Sequence, residues 1–496
     1  MLIGLRLVFV VSLIVLMTGC ATQRTSHLDF EDQSSVELSL DFCRNWSEQL
    51  DVVIAQYDAR DFGATTVKDY VYLRADRFLA AFSDLVYDDP NLFRAWVSAM
   101  VDLDRESRQI EVNNLNEAAL RLLGKDRLTI KDVTKRCSVF FKEHYLQEPF
   151  DDLEKLTSVV FIPDDYSSAK RALGLYPLLK IPFIKGIKEW HKQARDTFER
   201  YAQKNVKVVS TRQYEPTKKN IFRPQEVARL MSQRDALGQL TLSPDLLSRL
   251  FVTYAPIFTI EDSGEFDRVG AVDFTKEGAV TVNVLEPTVY THLTHTRFEG
   301  RTLPQLVYVA WFLARPKEGV GDLLGGNLDG IIWRVTLDHD GTPLLFDSIH
   351  PCGCYHMFFP TDRLVPNAEP SEFVEWAFSP KQLNEIETGM TVNITVQTKT
   401  HYLAGVTLDN FRQEAQQYSL RAYDELRSIE TSQGRRNLFG VNGIVSGSER
   451  GERYLLWPSG IESPGAMRQW GRHATAFVGR RHFDDVDLLD KYYIRR

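Results

Sequence analysis

The amino-acid sequence predicts an α+β protein in which an all-helical N-terminal unit precedes a mainly antiparallel sheet with flanking helices. Apolar residues recur at three- and four-residue spacing in the first part of the chain, as on one face of a helix. After about residue 206, β-branched runs and a strong hairpin signal replace that spacing. With 496 residues, 43% of them hydrophobic and 25% charged, the chain has a globular composition and room for two or three structural units.

The N-terminus predicts export and lipid attachment. An apolar run over residues 7–17 has the length of a signal peptide. The segment Leu16-Met-Thr-Gly-Cys20 then resembles the lipobox of bacterial lipoprotein precursors. The resemblance covers this N-terminal segment alone. It implies a signal peptide over 1–19, a lipid-modified Cys20 and, because residue 21 is Ala rather than Asp, an anchor in the outer membrane with the body in the periplasm. An ordinary cleaved signal and an uncleaved anchor are the alternatives.

Downstream of the signal peptide the sequence divides into three parts. Residues 20–35 combine the lipidated cysteine with a polar stretch that is typical of a flexible tether. Residues 36–205 form the predicted helical unit, and residues 206–496 form the α+β unit. Cys43 and Cys137 both lie on apolar helix stripes, so in an oxidising compartment they would either form a disulfide or remain two buried thiols.

Local patterns predict individual elements of the body. Strands are expected at 158–162, 206–210, 279–285 and 390–397, and helices at 91–105, 187–202, 224–257, 303–313 and 410–429. Segment 178–187 is interpreted as a buried connector broken by Pro182 and Gly186, with a membrane-dipping segment as the alternative. The clearest signal is a hairpin, in which Ile331–Leu337 and Pro343–Ile349 flank an Asp-Gly turn.

Candidate chemistry concentrates between His292 and His356. This segment contains five of the eleven histidines and two of the five cysteines, and imidazole and thiolate are the side chains that bind transition metals near neutral pH. A zinc site is therefore one interpretation, with either of two carboxylates as the base. The candidate metal ligands are His292, His295, His350, Cys354 and His356, and the candidate bases are Asp347 and Glu299.

The loop from His350 to His356 has two further interpretations. Cys352 and Cys354 could form a tight disulfide, which an oxidising compartment favours. Alternatively, the loop is a packed structural element whose histidines bind backbone groups. Whether His292 and His295 could both bind one metal depends on local structure, because residues three apart share a face on a helix but not on a strand. The surrounding Val, Tyr and Thr residues favour a strand.

The C-terminal segment is a second candidate site. Residues 435–496 contain eleven Lys or Arg and seven Asp or Glu, a net charge of +4 in an otherwise acidic chain. Guanidinium groups can bind phosphate or carboxylate in a bidentate manner. The candidates for weak anion binding are Arg468, Arg472, Arg480 and Arg481. The alternative is that they pair with nearby aspartates.

Two functions from different classes remain. The net charge of −8 gives no reason to expect nucleic acid as a partner, and the motifs of zincin peptidases, serine lipases and P-loop enzymes are absent from the sequence. The favoured hypothesis is a non-catalytic binding or assembly lipoprotein, whose membrane partner is reached through its lipid anchor. The alternative is a zinc-dependent hydrolase that uses the His/Cys cluster at 292–356.

Overall fold

The computed structural model describes residues 38–147, 153–206, 210–217, 221–384, 386–408 and 415–496. The predicted signal peptide, Cys20 and the tether lie outside these residues, as do three of the five residues of the strand expected at 206–210. Residues Leu40–Arg496 form one compact unit. Its helices and strands confirm the predicted α+β class. Among the described residues, no helix combines the length and apolarity needed to cross a bilayer.

The helices lie mostly in the first half of the described chain. They are α1 (Leu40–Gln56), α2 (Arg77–Ala80), α3 (Pro90–Asn114), α4 (Glu117–Leu123), α5 (Arg127–Gln147), α6 (Leu153–Val159), α7 (Ser168–Leu173), α8 (Tyr176–Ala202), α9 (Pro224–Leu230), α10 (Pro244–Tyr254), α11 (Arg453–Leu456) and α12 (Leu488–Tyr492). Helix α3 begins where the sequence indicates, because the Asp89 side chain accepts hydrogen bonds from two backbone N–H groups of the first turn and Pro90 fits that turn.

The strands lie mostly in the second half of the described chain. They are β1 (Thr65–Val67), β2 (Tyr70–Ala75), β3 (Thr211–Pro216), β4 (Ile257–Glu261), β5 (Ala271–Phe274), β6 (Val280–Asn283), β7 (Thr288–Phe298), β8 (Arg301–Arg315), β9 (Gly326–Leu337), β10 (Pro343–Ile349), β11 (Met357–Pro360), β12 (Leu364–Pro366), β13 (Val392–Val396), β14 (Leu403–Leu408), β15 (Gln416–Ala422), β16 (Ile429–Thr431), β17 (Gly434–Arg436) and β18 (Tyr493–Arg495). The strands expected at 279–285 and 390–397 and the hairpin of β9 with β10 are confirmed.

The N-terminal region is mainly but not wholly helical. A disulfide joins Cys43 on α1 to Cys137 on α5, which confirms the predicted pair. The expectation of an all-helical unit is wrong at β1 and β2, which form an antiparallel hairpin. Strand β2 carries Arg74, whose guanidinium donates two 2.8 Å hydrogen bonds to the Glu111 carboxylate of α3. This buried ion pair fixes the hairpin against the helices.

Ten strands form one large sheet in the order β11-β10-β9-β8-β7-β15-β3-β4-β13-β14. Most neighbours are antiparallel, but β15 runs parallel to both β7 and β3, and β13 runs parallel to β4. The sheet is therefore mainly antiparallel, as predicted, with a parallel junction at its centre. Strand β15 links two halves, because its first residues pair with β3 and its last residues pair with β7.

Burial on both faces explains the main error of the sequence prediction. The helix expected at 303–313 is instead the long strand β8. Alternate residues of β8 pack into two different cores, Tyr308 and Ala310 into one and Val309 and Trp311 into the other. A strand covered on both faces has no polar alternation, so its continuous apolar run resembles a buried helix.

Three other segments also differ from the prediction. Segment 158–162 is not a strand, because α6 extends to Val159 and places the buried residues Leu156 and Val160 one helical turn apart. The predicted helix 224–257 is divided into α9 and α10. The predicted helix 410–429 lies partly outside the described residues, and its remainder is β15 followed by a 3-10 turn at Tyr423–Arg427. Pairing with β7 and β3 overrides the local helical preference of that sequence.

Segment 178–187 is not a buried connector. Helix α8 continues through Pro182 and Gly186, and only part of its N-terminal half faces the protein. Leu178 and Ile181 are 66% and 52% exposed. The apolar run is therefore a surface feature.

Candidate functional site

A large cavity lies beside the edge of β7. Strand β15 pairs with β7 over Thr288–Thr291, and the chain then leaves the sheet through the 3-10 turn at Tyr423–Arg427. From His292 onward, no described strand pairs with that edge of β7, while β8 continues along the other edge. The cavity has a volume of about 1070 Å³ and is lined by residues of α2, α3, α10, β7, the 3-10 turn and the C-terminal segment.

Both His292 and His295 line this cavity. They lie on a strand, as the local composition predicts, and not on a helix. The cavity follows the free edge of β7 and is lined by all five residues from Thr291 to His295, so it reaches side chains from both faces of the strand. The two rings nevertheless contact different groups, and they do not share a ligand position.

His292 lies within an aromatic group. Its ring centroid is 5.4 Å from those of both Tyr423 and Trp470. The Tyr423 hydroxyl accepts a 2.8 Å hydrogen bond from the Trp470 backbone N–H, which fixes the two aromatic residues relative to each other. Within the described part of the chain, no protein hydrogen bond reaches the His292 ring nitrogens or the Trp470 indole N–H. These groups remain available to a molecule in the cavity.

His295 has a structural partner. Its Nε2 accepts a 3.1 Å hydrogen bond from the Leu240 backbone N–H, so the proton of the neutral ring is on Nδ1. Its ring lies 5.6 Å from that of Phe78. Burial lowers the pKa of His292 to about 4 and that of His295 to about 3. Both imidazoles are therefore uncharged at neutral pH.

Asp76 is a titratable group of the cavity that sequence reasoning missed. It caps α2 and accepts a 2.8 Å hydrogen bond from the Leu79 backbone N–H. Burial raises the pKa of Asp76 to about 6; the hydrogen bond from Leu79 opposes this shift and the carboxylate of Asp484 adds to it. Perturbed carboxyl groups concentrate in functional sites. No sequence spacing could have linked Asp76 to Asp484, since the two are separated by most of the chain.

The arginines of the cavity wall are all engaged with carboxylates. The pairs are Arg77 with Asp484 (3.3 Å), Arg105 with Asp102 (3.1 Å), Arg421 with Glu425 (2.5 Å) and Arg427 with Asp61 (2.7 Å). Their positive charge is therefore neutralised within the wall. Carboxylates such as Asp76 also line the cavity, so the wall does not favour an anion, while its uncharged imidazoles and aromatic rings suit a polar molecule.

The predicted metal ligands do not converge. His350 Nδ1 lies 3.5 Å from Asp329, whereas His356 Nε2 lies 3.0 Å from Asp347. In the described residues no group of three or more His, Cys, Asp and Glu side chains is placed to hold a metal ion. The structure therefore does not bring these residues together at one point, as the zinc interpretation expected. The histidines of the loop instead bind buried carboxylates.

The two candidate bases are ion-paired. Asp347 is buried, and Arg334 donates to it through Nε at 2.8 Å and through a second, shorter contact from Nη2. Burial opposes ionisation of Asp347, but Arg334 and His356 hold its pKa below the ordinary value. Glu299 lies at the exposed turn between β7 and β8 and pairs with Arg495 at 2.8 Å. Neither carboxylate lines the cavity.

Cys352 and Cys354 are free thiols, so the predicted disulfide between them is not formed. Both are buried in the core on the face of the sheet opposite α8–α10. A hydrogen bond with Cys352, together with burial, raises the pKa of Cys354 well above its ordinary value. Gly353 between them has φ of +89°, and an added Cβ would lie 2.4 Å from the Ala474 carbonyl oxygen. The loop is therefore packed, as in the third of the predicted alternatives, but its histidines contact carboxylates rather than backbone groups.

The four C-terminal arginines are not available to an anion. Arg472 pairs with Asp165 at 2.6 Å, Arg481 pairs with Glu375 at 3.1 Å, and Arg480 contacts Asp164. Arg468 donates to the backbone carbonyls of Glu462 and Ser463. Three of the arginines are thus paired with carboxylates, but these come from distant segments and are not the aspartates of the C-terminal segment that the alternative expected, Asp484, Asp485, Asp487 and Asp490. The neighbouring Asp484 and Asp485 pair with Arg77 instead.

A buried cluster in which a histidine lies between two carboxylates was also not predicted from the sequence. His401 lies between Asp329, at 2.8 Å from Nδ1, and Asp267, at 3.3 Å from Nε2. Burial opposes protonation of His401, but the two carboxylates raise its pKa above the ordinary value. His401 itself adopts φ of +53°, a conformation uncommon outside glycine. These contacts tie the turn before β14 to β9, and their full burial assigns them a structural role.

Comparisons with models of protein families, with curated proteins and with solved structures give no match for the chain. The fold and the cavity define an α+β protein with room for a ligand of small-molecule size, since such sites span about 300–1000 Å³. The geometry of the cavity is accordingly the basis for a functional assignment.

Proposed function

We propose that the chain is an envelope lipoprotein whose folded body is a non-catalytic binding module. Acylated Cys20 anchors it in the outer membrane on the periplasmic side, and the cavity beside β7 binds a neutral polar molecule. The lipobox resemblance supports the anchor. No feature of the contacts made by His350, His356 or Cys354 favours the zinc-dependent hydrolase, so binding is the function proposed.

One observation carries the binding role. Trp470 and His292 line the same cavity, and neither the indole N–H nor the imidazole nitrogens have a hydrogen-bond partner among the described residues. An indole N–H donates and an uncharged imidazole can accept or donate, so the pair can recognise a hydroxyl or amide group. The aromatic faces of Trp470 and Tyr423 provide apolar contact for the rest of the ligand.

A cavity-filling variant tests this role. Protein purified from envelopes is extracted, and the extract is analysed by mass spectrometry for a stoichiometric small molecule. Ser98→Trp places an indole in the cavity wall on α3 and should abolish the bound molecule. Ser158→Trp, at an exposed position away from the cavity, is the matched control and should retain it. Wild-type protein without any bound molecule, or equal retention by Ser98→Trp, would contradict the proposal.

The anchor is tested separately. Cys20→Ser should release the protein from membranes or leave an unprocessed precursor, because the variant lacks the thiol to which the acyl group is proposed to attach. Stable anchoring needs more than one acyl chain, since a single chain binds membranes reversibly. Fractionation and metabolic lipid labelling measure the outcome. Mature, lipid-labelled protein from the variant would refute the assignment of Cys20.

A further inference from the structure

The surface formed by α7, the N-terminal half of α8 and the adjacent α11 turn is unusually apolar. Its large apolar side chains are strongly exposed: Leu173 (80%), Leu175 (62%), Leu178 (66%), Ile181 (52%), Tyr454 (68%), Leu455 (63%) and Trp457 (39%). We call this set the α7–α8 face. Soluble proteins rarely leave a large contiguous apolar patch in water, and such patches mark interaction sites.

The two parts of the face are held side by side. Gly174 packs so closely against Pro458 that an added Cβ would lie 2.5 Å from the proline Cβ. The Arg171 guanidinium donates a 2.6 Å hydrogen bond to the Ser459 carbonyl, and the Ser167 N–H donates to the Gly460 carbonyl at 2.8 Å. The turn that carries Trp457 is therefore fixed against α7 and the start of α8.

The N-terminal half of helix α8 carries apolar side chains on its solvent side as well as on its protein side. Its protein side is formed by the buried Ile184 and by Phe183, whose ring lies 6.5 Å from that of Phe477. Its solvent side, where a helix of a soluble protein normally carries polar residues, has Leu178 and Ile181 in the first turns. Leu175 is the N-cap residue that precedes the helix, and it has φ of +50°. A strained backbone that holds a leucine in solvent is a feature of functional surfaces rather than of stable cores.

The segment that forms α7 and the N-terminal half of α8 carries charge of one sign. Between Tyr166 and Lys188 the sequence contains five Lys or Arg and no Asp or Glu, in a chain of net charge −8. Arg171 is bound to backbone carbonyls, which leaves four lysines: Lys170, Lys180, Lys185 and Lys188. The last makes one exposed contact, 3.9 Å from Glu369. Apolar side chains bordered by lysines on one helix face are typical of segments that lie in the interface of an anionic membrane.

We propose that the α7–α8 face docks on an anionic lipid surface, with Leu175, Leu178, Ile181 and Trp457 entering the headgroup region and the lysines contacting lipid phosphates. Tryptophan and tyrosine favour this interface because their rings are apolar and their N–H or O–H remains in contact with water. The docking does not require acylation of Cys20 and goes beyond the proposed function. It would orient the body at the membrane, whereas a lipid on a flexible tether would leave it free to rotate.

Vesicle flotation tests the proposal without the lipid anchor. The unit Leu40–Arg496 contains the disulfide and the cores of the fold within one compact body, so a chain that begins at residue 36 is suitable. It should float with vesicles of phosphatidylcholine and phosphatidylglycerol, float weakly with phosphatidylcholine alone, and lose binding as salt is added. Absence of binding to the anionic vesicles would overturn the proposal.

Matched variants locate the contact. Leu178→Glu/Ile181→Glu should weaken binding at least about tenfold, because two apolar side chains no longer enter the interface. Lys180→Gln/Lys185→Gln should weaken it about 25-fold, since each lysine near an anionic surface contributes about a fivefold factor. The controls Leu128→Glu and Lys135→Gln change exposed residues on α5 and should bind as wild type does. All changes are at exposed positions, so circular dichroism should be unaltered.

Two results would contradict the membrane surface as the occupant. Equal binding by wild type and both double variants would place the contact elsewhere. A concentration-dependent dimer in analytical ultracentrifugation that Leu178→Glu/Ile181→Glu abolishes, with no vesicle binding by the wild-type monomer, would instead assign the face to a second copy of the chain.

Discussion

Replacement of Asp76 by asparagine should stabilise the protein at neutral pH but not in acid. Asparagine caps a helix as well as aspartate does, so the hydrogen bond to the Leu79 N–H is retained. The carboxylate, in contrast, is ionised at neutral pH in a half-buried position near Asp484. The variant removes that unfavourable charge and leaves the packing unchanged.

The size of the stability change and the pH range in which it appears follow from the pKa of Asp76, which is raised from 3.8 to about 6. Below about pH 4 the carboxyl is protonated in both folded and unfolded protein, and it contributes no pH-dependent term. Between about pH 4 and pH 6 the unfolded chain ionises first, so the wild-type protein loses stability as pH rises. At 1.36 kcal/mol for each pKa unit, the loss above pH 6 is at most about 3 kcal/mol. Asp76→Asn should recover this amount.

Denaturant unfolding of both proteins at about pH 4 and about pH 7 measures the effect. The stability difference should be near zero in acid and favour the variant by about 1–3 kcal/mol at neutral pH. Asp89→Asn, at the exposed N-cap of α3, is the matched control for the capping chemistry and should show no such gain. A difference for Asp76→Asn that is the same at both pH values would refute the assignment of a raised pKa to this carboxyl.

Three further outcomes are expected. Cys43→Ala/Cys137→Ala opens a loop with a sequence separation of 94, so the free energy of unfolding should fall by about 2–5 kcal/mol; denaturation equal to that of the unreduced wild type would contradict this. Asp347→Asn leaves the buried Arg334 without its carboxylate and should cost about 3–5 kcal/mol, whereas Asp340→Asn, which weakens an exposed pair with Arg363, should cost less than about 1 kcal/mol in the same assay. Cys352 and Cys354, both buried thiols, should react with an alkylating reagent only after unfolding, and mass spectrometry of native protein modified at either position would show that the loop opens.

The sequence predicts elements whose signals are local. The hairpin of β9 and β10 is an example, because an Asp-Gly turn and its flanking β-rich runs lie within twenty residues and need no distant partner. The Cys43–Cys137 pair was one of two outcomes that the sequence left open, because both cysteines lie on apolar helix stripes but the sequence does not give the distance between them. By contrast, β8 is covered by a core on each face, and nothing in its own sequence distinguishes this burial from that of a helix.

The candidate site could not be predicted from the sequence, because its residues are distant from one another in the chain. The histidines between 292 and 356 are close in sequence, yet His350 and His356 bind carboxylates on different strands, β9 and β10. The cavity instead combines Asp76, His292 and Trp470 from three distant segments. Sequence proximity predicts a cluster only when the intervening chain turns its side chains toward one point. In β7 the strand places His292 and His295 on opposite faces, and at the loop after β10 His350 and His356 contact different carboxylates.

The junction at β15 has a consequence for how the protein folds. Strands β7 to β11 follow one another as neighbours in the sheet, so this half can assemble from contacts close in sequence. Strand β15 must then join partners at Tyr214 and Thr288, both more than a hundred residues earlier. Closing such long loops is slow. We therefore expect insertion of β15 to be a late step, and because that strand ends at the cavity, the cavity should be completed only as the two half-sheets unite.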